Sequence, residues 1–298
     1  MFKFLSVIVF LVSGLLFYQN GKILSKEPVD LTTTSVWKGI SDNNQLKPKY
    51  QYLSDLNFYS ITYLSDGQTI KGMTVEPKKQ GKYPVIIFNR GGNRNFAPLN
   101  IPTLIMYTSK LADNGYIIIG SNYREKDEFG GAEVNDVLYL TETVKEMENA
   151  DPNRIGMFGW SRGGMMTYLA LQNTDKIKTA VIGNGASDLF STITERPEME
   201  KVFEECIPGY SEKKTSELQK RSAIYWPEKL NKQSSLLILC GTKDQHVSYL
   251  QSEKMADRLR QIGYNFELKK FETDHFFSDK KEELDQTVIE WFDQKLKQ

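Results

Sequence analysis

The stretch RIGMFGWSRGGMMTYLA, residues 154–170, opens as an apolar run and closes with helical spacing. Between the two, Gly159-Trp160-Ser161-Arg162-Gly163-Gly164 sets a serine among glycines. Glycine tolerates backbone angles that other residues resist, so a plain tight turn is one reading. The other is a nucleophile elbow, a strained strand-to-helix corner that lifts a serine hydroxyl above the edge of a sheet. What the rest of the chain supplies decides between them.

Working outward, the neighbouring segments alternate between strand and helix. Upstream, NFYSITYLS and QTIKGMTVE flank Asp66-Gly67, a hairpin signal. YPVIIFN (83–89) reads as a buried strand running into Arg90-Gly91-Gly92-Asn93, and a helix-like stretch over about 99–114 ends at Asn114-Gly115. YIIIGSNY (116–123) follows as a second buried strand, and residues 132–148 carry apolar residues at helical spacing up to Asp151-Pro152. Downstream of the serine, TAVIGNG (179–185), SLLILCG (235–241) and NFELKKF (265–271) read as strands, with helices around 249–262 and 281–296. Residues 189–233 interrupt this alternation as an inserted helical cap. Apolar strands separated by helices imply a mostly parallel sheet with helices on both faces, one α/β domain over residues 51–298 with the small helical cap inserted.

Composition narrows the function classes. The chain has 298 residues, with 38 basic and 38 acidic side chains. That balance gives no electrostatic reason to expect nucleic acid as a partner. Two cysteines, Cys206 and Cys240, are too few for a disulfide framework, and no zinc-ligand spacing occurs. Lys3 precedes an apolar run from Phe4 to Tyr18, shorter as a helix than a bilayer core. Residues 1–18 therefore read as an export signal or a short membrane anchor, and the expected location is extracytoplasmic. Residues 19–50 are polar and read as a linker.

A serine hydroxyl becomes nucleophilic when an imidazole accepts its proton, and the imidazole works best when a carboxylate fixes its tautomer. An elbow therefore requires an acid and a histidine farther on, each just past a strand end, in the order serine, acid, histidine. Only two histidines exist. SLLILC runs into Gly241-Thr242-Lys243-Asp244, and NFELKKF runs into Glu272-Thr273-Asp274-His275. Ser161, Asp244 and His275 thus sit at three strand ends in the required order. His246, two residues past Asp244, reads as loop or pocket lining. Asp188 is the rival acid, one strand earlier, and Asp274 reads as a solvated turn residue. The expected chemistry is acyl transfer to water, on a small ester or a short peptide, with no metal and no organic cofactor. The oxyanion donors are the backbone N–H of Arg162 and a second from the loop at Arg90 and Gly91. Cap residues Ile193, Met199, Phe203, Ile207, Tyr225 and Trp226 are candidates for an apolar acyl pocket, or equally for core.

The segments GWSRGG, GTKDQHVSYLQSEKMADRL and FETDHFF together resemble the catalytic domain of the prolyl oligopeptidase family of serine peptidases. The likeness runs from about Tyr83 to the C-terminus and includes RSAIYWPEKL. It implies Ser161, Asp244 and His275 as a catalytic triad. Two departures stand out. Family members usually carry a β-propeller ahead of the hydrolase domain, for which this sequence has no room, so peptide specificity does not transfer. They also often place a tyrosine where this chain has Arg90. A carboxylesterase acting on acylated sugars or lipids is the alternative function, and an inactive binding protein on the same fold is a third.

Overall fold

A computed structural model describes residues 19–297 of the chain. The apolar segment read as a signal or anchor, residues 1–18, lies outside the described residues. Among those described, no helix is long and apolar enough to cross a membrane.

Nine strands form one sheet: β1 (Ile23–Pro28), β2 (Leu56–Ser65), β3 (Gln68–Pro77), β4 (Tyr83–Asn89), β5 (Ile117–Ser121), β6 (Ala150–Trp160), β7 (Ile177–Gly183), β8 (Ser235–Gly241) and β9 (Phe266–Phe271). Their spatial order is β1-β2-β3-β5-β4-β6-β7-β8-β9. The first three strands run antiparallel to their neighbours, and the six strands β4 to β9 pair with one another in parallel. The mostly parallel sheet is the one that the apolar, unalternating strands predict, and its strand order is that of an α/β-hydrolase fold.

The parallel strands are apolar on both faces because both faces are covered. Successive side chains of a strand point to opposite sides. Ile87, Ile119, Met157 and Ile182 therefore join a core under the helices Arg162–Asn173 and Tyr249–Gln261. Ile86, Phe88, Ile118, Phe158 and Val181 join a second core under the C-terminal helix Lys281–Leu296, which contributes Trp291 and Phe292. The Asp66-Gly67 turn is a two-residue loop with Ser65 opposite Gln68. Both turn residues have positive φ, 49° and 75°, the primed geometry that matches the twist of a hairpin.

One segment corrects the sequence reading. Residues 19–50 are not a free linker. Residues 23–28 form β1 on the edge of the sheet, with the Ser25 hydroxyl 2.7 Å from that of Thr62. Farther on, Val29, Leu31, Val36, Trp37 and Leu46 pack against the second core. An edge strand pairs through its backbone and keeps one face in water, so its side chains can be polar without ceasing to be a strand.

Between β7 and β8 lie the helices Leu189–Glu195, Glu198–Cys206 and Tyr210–Arg221 and two short 3-10 turns. The expected helix over 99–114 is broken at Thr108 into Ile101–Tyr107 and Ser109–Asp113. Cys206 and Cys240 are both free and buried.

Candidate active site

The serine corner is built by close backbone approach. Ser161 has φ 56° and ψ −123°, a conformation that L-residues rarely adopt and that a surrounding scaffold must hold in place. A Cβ on Gly159 would stand 2.2 Å from the Gly163 carbonyl oxygen, and one on Gly163 would stand 1.9 Å from that of Asn89. Both glycines are needed because helix Arg162–Asn173 starts directly against the ends of β4 and β6. The Ser161 N–H donates to the Gly183 carbonyl at 2.9 Å, which anchors the corner to β7.

Asp244 and His275 stand past the ends of β8 and β9, and their side chains meet. His275 Nδ1 lies 2.7 Å from Asp244 Oδ2, with the imidazole 7% exposed and the carboxylate fully buried. The other oxygen, Asp244 Oδ1, accepts the N–H groups of His246 at 2.7 Å and Val247 at 3.0 Å. The carboxylate is therefore held at both oxygens, and the imidazole is presented by its remaining nitrogen. Ser161 and His275 line one cavity of about 350 Å³. No hydrogen bond joins the two side chains among the described contacts.

Asn184 is a contributor that the sequence reading missed. It follows β7 with φ 46° and is 1% exposed. Its side chain accepts from the Gly241 N–H at 2.8 Å and donates to the His275 carbonyl at 2.9 Å. It thus ties the end of the strand before Asp244 to the loop that carries His275. A polar residue directly after the buried run TAVIG was the available signal.

The rivals have other employment. Asp188 caps the helix Leu189–Glu195, accepting from the Phe190 N–H at 3.0 Å and the Ser191 hydroxyl at 2.7 Å. Asp274 closes its own turn through the Phe276 and Ser278 N–H groups, each at 3.0 Å. Hydrogen bonds from Ser278 hold its carboxyl below the ordinary value. His246 lines the cavity with its ring 4.8 Å from that of His275. Burial, and then the neighbouring His275, push the His246 imidazole down.

The two arginines flanking the site turn their side chains into scaffolding. Arg162 forks onto Asp127 at 2.6 and 2.8 Å, and reaches Glu133 at 2.6 Å and the Gly92 carbonyl at 3.0 Å. Burial acts against the Asp127 carboxylate, but the Arg162 guanidinium holds its carboxyl below the usual range. Arg90 donates to the carbonyls of Gly91, Arg94 and Asn122, each at 3.0 Å, which shapes the loop it begins. Of the two loop residues considered for the oxyanion, Gly91 lines the cavity and Arg90 does not. A Cβ on Gly91 would lie 3.3 Å from Ser161 Cβ. Arg162 begins its helix immediately after the serine, where an N–H is free of intrahelical bonds.

The cap supplies different residues from those expected. Of the six candidates only Met199 lines the cavity. Phe203, Ile207 and Trp226 are buried in the core, Ile193 packs against it, and Tyr225 is exposed. The cap has to bury its own apolar face against the helices below. Leu189, Thr192 and Arg196, on one face of the first cap helix and its end, reach the cavity instead, together with Phe96, Met106, Tyr107 and Phe276. No group of three or more His, Cys, Asp or Glu among the described residues is placed to hold a metal ion.

The sequence profile of the prolyl oligopeptidase family matches residues 108–298, more than half of the chain. The chain belongs to the prolyl oligopeptidase family. It is a serine hydrolase of peptidase-like type. Within the family it is similar to the uncharacterized peptidase YtmA of Bacillus subtilis, 28% identical over 76% of this chain and 88% of that one. It is also similar to dipeptidyl peptidase 8 of Mus musculus, 25% identical over 79% of this chain but only 28% of that one. Among solved structures, the acylaminoacyl peptidase of Pyrococcus horikoshii superposes with a TM-score of 0.67 at 21% identity, over 80% of this chain and 41% of that one. The esterase rPPE superposes with a TM-score of 0.68 at 19% identity, over 82% of this chain and 84% of that one. The chain thus spans most of the Bacillus relative and less than half of the larger peptidases. The structural likenesses carry the fold.

Proposed function

We propose that Ser161 is the nucleophile, His275 its general base and Asp244 the carboxylate that orients the base, in hydrolysis of a small ester or short peptide through an acyl-enzyme. The contact that carries this reading is His275 Nδ1 to Asp244 Oδ2 at 2.7 Å, buried beside a serine held at positive φ. In the reaction Ser161 Oγ attacks the carbonyl carbon as its proton passes to His275 Nε2. Asp244 stabilises the imidazolium, which then protonates the leaving group. Water repeats the sequence on the acyl-enzyme with the same base. The oxyanion formed in each half falls to the N–H groups of Arg162 and Gly91.

The mostly apolar cavity wall of Phe96, Met106, Tyr107, Leu189, Met199 and Phe276 also suits the acyl chain of an ester. Turnover of short-chain esters against aminoacyl amides separates an esterase from a peptidase. In either case Ser161→Ala is expected to lose about four orders of magnitude in kcat, by analogy with removal of a triad member. It should also lose labelling by a fluorophosphonate while keeping its far-ultraviolet circular dichroism. Turnover near the wild-type level in that variant would end the assignment.

A further inference from the structure

Arg196 has no part in the proposed reaction, yet it faces the site. It follows the helix Leu189–Glu195 and is fixed there by its own N–H, which donates to the Thr192 carbonyl at 2.8 Å. Its side chain lines the same cavity as Ser161 and His275. Only Nε is engaged, donating to Glu198 Oε1 at 2.8 Å. The two terminal amino groups have no acceptor among the described residues. Glu198 is a weak counter-ion because its side chain is 63% exposed, against 29% for Arg196. The guanidinium lies close enough to the catalytic end of the cavity to be one of the charges acting on His246, after burial and His275.

The remaining charges of the cavity sharpen the point. Arg162 is the other cationic side chain in the wall, and Asp127 and Glu133 pair it. No aspartate or glutamate lines the cavity among the described residues. A substrate ammonium would enter without a counter-charge. A carboxylate would meet a planar fork with two free donors, in a partly buried setting where such bonds are strong.

We infer that Arg196 selects substrates bearing a carboxylate near the scissile ester or amide, with the apolar wall taking the carbon skeleton. The class is that of dicarboxylic monoesters and of short peptides held by their C-terminal carboxylate. This rests on the assignment of Ser161 as the nucleophile. The carboxylate could belong to the acyl part or to the leaving group, and matched probe pairs distinguish the two. For the acyl side the pair is para-nitrophenyl hydrogen adipate and para-nitrophenyl hexanoate. For the leaving-group side it is 4-(hexanoyloxy)benzoate and phenyl hexanoate.

The readout is the ratio of kcat/KM for the charged probe to that for its neutral partner, in the wild-type chain, Arg196→Gln and Arg196→Lys. In one of the two pairs the ratio is expected to fall about ten- to a hundredfold in Arg196→Gln, the span of a charge-assisted hydrogen bond. The fall should sit in KM, with part of the ratio restored in Arg196→Lys. An unchanged ratio in both pairs overturns the inference, as does an equal loss on charged and neutral probes, which marks a merely structural residue. Neutral-ester turnover that Ser161→Ala abolishes keeps the nucleophile assignment standing in either event. Wild-type turnover of every probe that survives Ser161→Ala removes that assignment instead.

Discussion

At the scale of single residues, the site is a set of short tethers around one buried contact between His275 and Asp244. Asp244 has both oxygens occupied, one by His275 and one by two backbone N–H groups, so its direction is fixed before any substrate arrives. Asn184 does the same for the His275 loop through two hydrogen bonds, at 2.8 and 2.9 Å. It touches no reacting atom in this arrangement and acts as a positioning residue. Asn184→Ala removes both tethers, and displacement of the imidazole by even an ångström is costly to a proton transfer. The expected result is a loss of about ten- to a hundredfold in kcat with KM within about threefold. The pH profile of kcat/KM should move as well. Steady-state kinetics across pH, on protein shown to be folded, check this. An equal loss carried wholly in KM would assign Asn184 to substrate binding instead.

At the scale of elements, the corner between β6 and the helix Arg162–Asn173 depends on contacts that leave no room for a side chain. Gly163→Ala would push a Cβ to 1.9 Å from the Asn89 carbonyl oxygen. That atom is backbone at the end of β4 and cannot swing aside as a flexible side chain could. Overpacking usually costs about 1–3 kcal/mol, and here the strain falls on two elements at once. The variant is expected to lose at least about 3 kcal/mol in urea unfolding, together with most activity. A stability within about 0.5 kcal/mol of wild type, the range of ordinary surface substitutions, would show that the corner can relax. The hairpin of β2 and β3 belongs to this scale too, since Asp66-Gly67 set both its turn type and its register. β1 does not: its pairing residues carry no pattern of their own and are recruited by the open edge of β2.

At the scale of the whole molecule, buried arginines stitch the segment 124–133 between the sheet and the cap. Arg162 holds Asp127 and Glu133, and Arg221 of the cap donates to the Phe129 carbonyl at 3.0 Å. Phe129, held at φ 49°, lines the cavity. The site wall thus depends on ion pairs far apart in the chain. Asp127 has a folded pKa below its ordinary value of about 3.9. Its stabilising contribution is therefore fully present above that ordinary value and is lost as pH falls through the lower folded value. Asp127→Asn is expected to cost about 3–5 kcal/mol near neutrality, because it breaks a buried pair from one side. It should also flatten the loss of stability as pH falls below the ordinary carboxylate value. Urea unfolding of both proteins at matched pH values tests this. An acid limb as steep in the variant as in the wild type would place the pH dependence elsewhere.

From β2 onward, the amino-acid sequence by itself determined the strands and their order along the chain. Apolar runs long enough for one strand, punctuated by glycine and followed by helical spacing, admit few arrangements. The polar residues stranded at their ends, Ser161, Asp244 and His275, stand out because buried strands otherwise exclude such groups. The sequence could not tell which cap face turns inward, since Met199 and Phe203 are both apolar and only packing separates wall from core. It could not assign Arg90, Arg162 and Arg196 either. A guanidinium is the same charge wherever it stands, and its role follows from the acceptors that folding brings within about 3 Å. Tertiary structure gave Arg162 two carboxylates and Arg90 a set of carbonyls. To Arg196 it gave one exposed glutamate and an open cavity.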